Sequence, residues 1–257
     1  MDKSLIVITT CYEANGDLLK TLQSISFHIS DRVKSYVFIK NYVQGETEKF
    51  ITTQFFCILN DTGLYNALNI VHKNIKKDDY IFYLHCGDIL DPNFDLRSEF
   101  SQISQYDISV YKVKMTNSEG NFIRSFPSVK SIFHPYVYLF SHTGIIFKNK
   151  IYFDVGGYNE KYSISSDFDF IIKIFKYCAP KSCRFSPKNI SIMAFGGLST
   201  NSLNLRKIFH EDYSVISPYT NFPLFFLFLK KTLRLICTIN FKYLLISIKK
   251  NIYQSFD

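Results

Sequence analysis

The first place where this sequence could do chemistry is the stretch Asp-Asp-Tyr-Ile-Phe-Tyr-Leu-His-Cys-Gly-Asp-Ile-Leu-Asp-Pro, from Asp78 to Pro92. Tyr80 to Leu84 are aromatic or aliphatic without a break, the pattern of a strand covered on both faces. His85, Cys86 and Gly87 end the run, and Asp88 follows. An acid just past the carboxyl end of such a strand stands where open α/β sheets gather ligands. Its oxygens are hard donors, suited to a divalent cation that also holds phosphate oxygens. The competing reading is a turn acid ahead of Pro92, since turns favour Asp for local hydrogen bonding. A second pair of acids, Asp167 and Asp169, opens a segment in which Phe168, Ile171, Ile172 and Phe175 recur at helical spacing. There the helix dipole favours acids, so residue type alone reads both as structural. Asp61-Thr62-Gly63 precedes another helical stripe (Leu64, Leu68, Val71, Ile75) and is good capping chemistry.

The elements that must position these residues alternate. Leu5 to Thr9 reads as a strand, Cys11 to Asp17 as the loop leaving it, and Leu18, Leu22, Ile25 and Ile29 as a helical stripe. Tyr36–Ile39 and Phe55–Leu59 are the next strands, separated by a turn-forming loop over 41–46. The Leu64 stripe and the Tyr80 strand follow. Strand and helix alternating through short connections predict a mostly parallel sheet flanked by helices on both faces. The second half is less regular. Ile108–Val113 and Ile145–Phe147 read as strands, Thr116–Asn121 as a turn, Ile151–Val155 as a lead into the stop at Gly156-Gly157, and Ser165–Tyr177 as a helix. No Gly-x-Gly-x-x-Gly follows the first strand and no Gly-Lys-Ser/Thr loop occurs, which disfavours the dinucleotide and P-loop versions of such a sheet.

Composition narrows the class. With 257 residues the chain has ample length for a sizeable core, and 47% hydrophobic residues with no long apolar run make it globular rather than polytopic. Six cysteines are scattered without a Cys-x-x-Cys pair, as in a reduced, cytosolic chain. Leu5 to Ile8 is only strand-length and lacks the basic lead of a secretion signal. The net charge of +8 is uneven: six Lys/Arg stand against Asp257 alone from Phe222 onward. That asymmetry predicts an acidic surface as partner.

Seven stretches, in order, resemble the family-two glycosyltransferases of GT-A fold that build bacterial surface polysaccharides. They are Ile8–Glu13, Asp61–Asn69, Leu84–Asp88, His142–Phe147, Val155–Tyr162, Ser165–Phe170 and Gly196–Ser199. The similarity spans roughly residues 4 to 200. It implies a Rossmann-like sheet, a nucleotide-sugar donor (a UDP-sugar foremost) and an inverting transfer. Asp88 matches the last acid of the family's metal-binding element, implying Mn2+ or Mg2+ on the donor diphosphate, although Cys86 replaces its first acid. Thr10, Tyr12 and Glu13 match the loop beside the nucleoside, with core packing the alternative for Tyr12. Asp61 and Gly63 match the segment entering the nucleotide-side helix. Asp167 matches the general base, preceded here by Ser166 rather than Glu, whereas Asp169 falls on another helix face. His142 matches a histidine facing donor sugar or acceptor, with a satisfied core histidine as the alternative. After the second strand, where relatives carry a base-reading acid, this chain has Lys40, and a lysine cannot accept an N–H.

The expected organisation is a transferase domain over 1–215 and a basic amphipathic helical tail over 216–257. In the tail, Lys230, Lys231, Arg234, Lys242 and Lys249 fall within roughly a 120° arc opposite Phe, Leu and Ile, and Lys250 falls outside it. Such a stripe suits an in-plane helix on anionic lipid; helical packing on the domain, with solvated lysines, is the alternative. A lipid-linked glycan acceptor for O-antigen lipopolysaccharide or capsule, and a place on the cytoplasmic face of the membrane, follow from the first reading. Two other classes fit parts of the sequence. A catalytically silent GT-A-like nucleotide- or glycan-binding subunit would explain Lys40 and the missing acid. A nucleic-acid-binding protein would explain the basic tail, but clustered Arg and aromatic stacking segments are lacking, so no nucleic-acid partner is expected.

Overall fold

The computed structural model describes residues 3–13, 15–41, 55–58, 61–117, 122–131, 134–194 and 204–238. In chain order the elements are β1 (Leu5–Glu13), α1 (Gly16–Ser26), β2 (Val33–Asn41), β3 (Phe55–Ile58), α2 (Leu64–Lys73), β4 (Tyr80–Tyr83), β5 (Ile89–Leu90) and α3 (Leu96–Ile103). There follow β6 (Ile108–Thr116), β7 (Phe122–Phe126), β8 (Ile145–Lys148), α4 (Asn149–Asp154), α5 (Ser166–Tyr177), β9 (Cys183–Ala194), α6 (Leu205–Ile216) and α7 (Pro223–Thr238). Most of the expected 41–46 loop and of the 116–121 turn, the Gly196–Ser199 motif, Lys242, Lys249 and Lys250 lie outside the described residues.

The described strands form one sheet in the order β3-β2-β1-β4-β8-β6-β9-β5, with β7 on β6. The parallel expectation holds from β3 to β4. Beyond β4 the sheet is mixed: β8 runs antiparallel to β4 and β6, and β9 returns parallel to β6. β1 is four residues longer than the sequence pattern suggests, because Thr10, Cys11 and Glu13 remain paired with β2. Ile29 lies past the end of α1. Ile151 lies within the helix α4, which Gly156 and Gly157, both at positive φ, terminate.

The sheet is buried on both faces because its central strands alternate between two cores. Leu5 and Val7 of β1 share one layer with Leu18, Leu22 and Ile25 of α1 and Phe100 of α3. Ile6 and Ile8 share the other with Leu68 and Val71 of α2 and Ile172 of α5. β4 divides in the same way, Phe82 to the first layer and Ile81 and Tyr83 to the second. β9 escapes the sequence pattern because Pro187 interrupts it; the β6–β9 register shifts there, and the extra residues bulge out. Buried Glu99 of α3 then ties that strand down through Arg184 (2.7 Å) and Lys188.

The tail helix α7 packs onto the domain. Leu227 is 1% exposed within the second core layer, and Lys230 is buried beside it. The expected outward basic stripe is therefore broken: Lys230 pairs with Asp212 at 3.3 Å, and Arg234 donates to the Phe140 carbonyl at 3.1 Å. Neither reading of the tail placed a cation inside. Phe222, Leu224, Phe225 and Phe228 are exposed, and of the three described tail cations only Lys231 is exposed with them. No helix among the described residues is long and apolar enough to cross a membrane. Replacing buried Leu227 by Ala should cost about 2–5 kcal/mol, lowering Tm by roughly 5–15 °C. Unchanged melting would mean that α7 is not part of the core.

Candidate active-site cleft

Between β1 and β4 the connections leave in opposite directions, and their carboxyl ends open a crevice. A cleft of about 930 Å³ occupies it. Its near wall is the end of β1: Thr10, Cys11, Tyr12, Glu13 and then Asn15. Its floor is the turn after β4, where His85 and Cys86 face the space, and Asp167, Ser141, His142 and Thr143 close another side.

Helix α1 fixes the floor. Its N-cap Asn15 accepts from the Asp17 and Leu18 amides, and its inward Thr21 hydroxyl accepts from the Gly87 N–H at 3.0 Å. Ser24 takes the Leu90 N–H at 3.0 Å. Gly87 sits at φ +95°, where a side chain would be strained, so the sharp turn toward Asp88 requires glycine. His85 shares a 2.8 Å hydrogen bond with Thr10, tying the two strand ends together. Burial lowers the His85 pKa to about 4, which keeps the ring neutral.

Asp88 is only 5% exposed, and its Oδ1 accepts from the Ala194 N–H at 3.1 Å. Burial pushes its pKa up to about 7 against that single stabilising bond. No described cation pairs with it, and no three metal-type side chains converge among the described residues. One uncompensated hard carboxylate fits an ion that arrives with phosphate oxygens and waters, rather than one held by a complete protein cage. Asp88 is not one of the residues that line the cleft, although His85 and Cys86 just before it are.

Asp167 does line it, from the first turn of α5. Burial raises its pKa to about 6, opposed by the nearby Lys230 charge and reinforced by Asp212. The start of α5 is held from elsewhere. Glu211 of α6 accepts the Ser163, Ile164 and Ser165 amides at 3.1, 2.9 and 2.9 Å. Burial alone would raise the Glu211 pKa, but those donated hydrogen bonds bring it below the usual range. Asp169 leaves on another face and pairs with Lys173 at 2.6 Å.

His142 is a satisfied, partly buried histidine that also reaches the cleft. Its Nε2 shares a 2.8 Å hydrogen bond with the Tyr158 hydroxyl, yet the ring borders the cleft. Burial takes its pKa to about 3, so it is a neutral group at physiological pH. Tyr12 is 66% exposed, which removes the core-packing reading. Asp61 and Gly63 are not among the lining residues, whereas Leu64 and Tyr65, which follow them, are. Asp61 accepts the Gly63 N–H at 2.9 Å and pairs with Lys40 at 3.2 Å, so Lys40 is held by an acid from the next loop. Lys40 also lies 5.9 Å from the Tyr12 ring. Sequence reasoning missed Glu211, whose role depends on α6 folding back, and Arg124, Lys230, Lys231 and Arg234 as cleft residues. The tail's basic residues were a visible signal, but their direction was not.

No protein-family model and no curated protein matches the chain. Solved structures do. S. aureus TarS 1–349 in complex with UDP-GlcNAc aligns at TM-score 0.63 and 12% identity, covering 83% of this chain and 66% of that one. The complex with UDP aligns at 0.60 and 14%, covering 83% and 64%. The longer S. aureus TarS structure aligns at 0.62 and 12%, covering 85% and 40%. This chain thus spans less than two thirds of each. The architecture is a GT-A-like glycosyltransferase fold, a sheet flanked by helices with a C-terminal helix.

The elevated Asp88 pKa carries a sign. An acid at about 7 folded and near 4 unfolded binds more protons in the folded state between those values, so its ionisation removes stability as pH rises from about 4 to 7. Asp88→Asn should flatten that part of the stability–pH curve, measured by urea unfolding at pH 5 and pH 8 without metal. Equal slopes for the two proteins would show that Asp88 titrates normally.

Proposed function

We propose that the chain is an inverting glycosyltransferase that moves a sugar from a nucleotide-sugar donor, a UDP-sugar foremost, to a lipid-linked glycan acceptor. The observation that carries this reading is Asp167: a carboxylate with a pKa near 6, held at a helix start, facing a cleft at the switch point of a GT-A-like sheet. The solved neighbours with UDP and UDP-GlcNAc support the donor class.

In this mechanism Thr10, Tyr12 and Glu13 border the nucleoside, with exposed Tyr12 available to stack on the base. Asp61 and Gly63 lead into Leu64 and Tyr65, which line the same cleft. Asp167 takes the proton of the acceptor hydroxyl as its oxygen attacks the anomeric carbon. The nucleoside diphosphate departs from the opposite face, which inverts the configuration. With a pKa near 6 the base is ionised at neutral pH yet basic enough to accept a proton. Neutral His142 offers a hydrogen bond beside the transferred sugar without adding charge. Asp88 would hold Mn2+ or Mg2+ delivered with the diphosphate, and the ion would supply Lewis-acid neutralisation of the leaving charge.

The acceptor and place of action rest on the tail. Exposed Phe222, Leu224, Phe225 and Phe228 form an apolar face that suits the surface of a membrane carrying lipid-linked glycan, in surface-polysaccharide assembly such as lipopolysaccharide or capsule. The two-part organisation, 1–215 for the transferase and 216–257 for the tail, belongs to the same reading, with cytoplasmic, peripheral localisation. Phe225→Ser with Phe228→Ser should reduce co-sedimentation with anionic vesicles at least several-fold while Tm holds. Equal sedimentation would remove the lipid face.

The decisive test is Asp167→Asn, which keeps shape but cannot accept the proton. Donor affinity by calorimetry should hold while single-turnover transfer falls by at least about a hundredfold. Wild-type kcat/KM should rise with pH toward a plateau above about 6. Asp167→Asn with near-full transfer would place the base elsewhere. A wild type that binds UDP-sugar but never transfers or hydrolyses it would instead be a silent binding subunit.

A further inference from the structure

The cleft has a cationic side that lies partly beyond the stretch carrying the motif resemblance. Arg124 of β7 and Arg234 of α7 set their guanidinium carbons 4.9 and 5.3 Å from the centroid of the same Phe126 ring. Lys230, one turn earlier on α7, rests 3.2 Å from the Phe168 ring centroid and is 5% exposed. Lys231 is exposed at the rim, and all four residues line the cleft.

Asp212 offsets Lys230, and Asp167 acts on it at longer range. Among the described residues no carboxylate lies at ion-pair distance from Arg124, whose Nε meets the Met115 sulfur at 3.4 Å, a weak acceptor. Burial and then the Arg234 charge lower the Arg124 pKa. Two partly desolvated guanidiniums on one ring repel each other, and an anion placed between them relieves the repulsion. Planar guanidinium forks match phosphate oxygens two at a time, while lysines add point charge.

We propose that Arg124, Lys230, Lys231 and Arg234 form a phosphate-binding subsite, three of its four cations supplied by α7. On this view α7 completes the site as well as the core. The subsite needs no nucleotide to exist; only the identity of its occupant rests on the transferase reading. Under that reading the phosphate belongs either to the donor diphosphate, where these cations would neutralise the leaving charge, or to a phosphate on the acceptor.

The test is calorimetry at low salt with inorganic pyrophosphate, uridine and UDP, on the full chain and on Arg124→Gln, Arg234→Gln and Lys231→Gln. Lys230 is left intact, because its removal would strand buried Asp212 and could unfold the protein. Pyrophosphate affinity should fall about tenfold or more in each Arg variant and less in Lys231→Gln. Uridine affinity and Tm should stay near wild type. A parallel fall for UDP assigns the subsite to the donor diphosphate. A fall for pyrophosphate alone, with UDP unchanged, assigns it to a phosphate on the acceptor. Should Arg234→Gln melt early, Arg124→Lys carries the test, since it keeps charge and packing, loses the fork and should weaken pyrophosphate by an intermediate factor. Wild type that binds pyrophosphate but neither uridine nor UDP would sink the transferase reading and leave the subsite standing. No pyrophosphate binding by wild type, or equal binding by all variants, overturns the subsite.

Discussion

Burial of β1 and β4 on both faces constrains everything else in this molecule. Their main-chain groups are satisfied by neighbouring strands only along their paired lengths, and both faces are closed by helices. Polar side chains can therefore gather only where these strands end. The two ends are joined through the Thr10–His85 hydrogen bond, and α1 uses Thr21 and Ser24 to hold the turn that follows β4. A helix whose apolar face builds the core thus also supplies the hydroxyls that shape the cleft floor.

A second helix divides its labour similarly. On α6, neighbouring residues Glu211 and Asp212 are both buried acids, and they serve different elements. Glu211 collects three amides ahead of α5 and so sets the position of Asp167. Asp212 holds Lys230 of α7, whose charge lies close enough to Asp167 to moderate its raised pKa. The candidate base is thus placed by one acid and tuned through the cation that the next acid anchors. A change at α6 would reach the cleft without touching it.

Much of this was legible locally. The unbroken run Tyr80–Leu84 declared a strand covered on both faces, and Leu18, Leu22 and Ile25 declared the helix over it, because burial imposes a period that residue types record. Gly87 and Asp88 stood where a strand must end, and Asp167 stood in a helix's first turn. Less was legible where pairing is distant. β9 was hidden because its bulge at Pro187 breaks the alternation that sequence reading relies on. Lys40 read as a departure from an acidic pattern, whereas in the fold it meets Asp61, 21 residues away.

The sequence by itself determined the strands and helices from β1 to β4, though not α3, and singled out Asp88 and Asp167 as candidates, since both follow from local residue order. Tertiary structure decided what those residues face. It reversed β8 against β4 and β6, left Asp88 out of the cleft lining and brought Asp167 into it, and pointed Lys230 and Arg234 inward. Amphipathic periodicity shows that a helix has two faces but not which neighbour each one meets. The direction of α7 came from partners at long range: an acid on α6, a carbonyl at Phe140, and aromatic rings at Phe126 and Phe168.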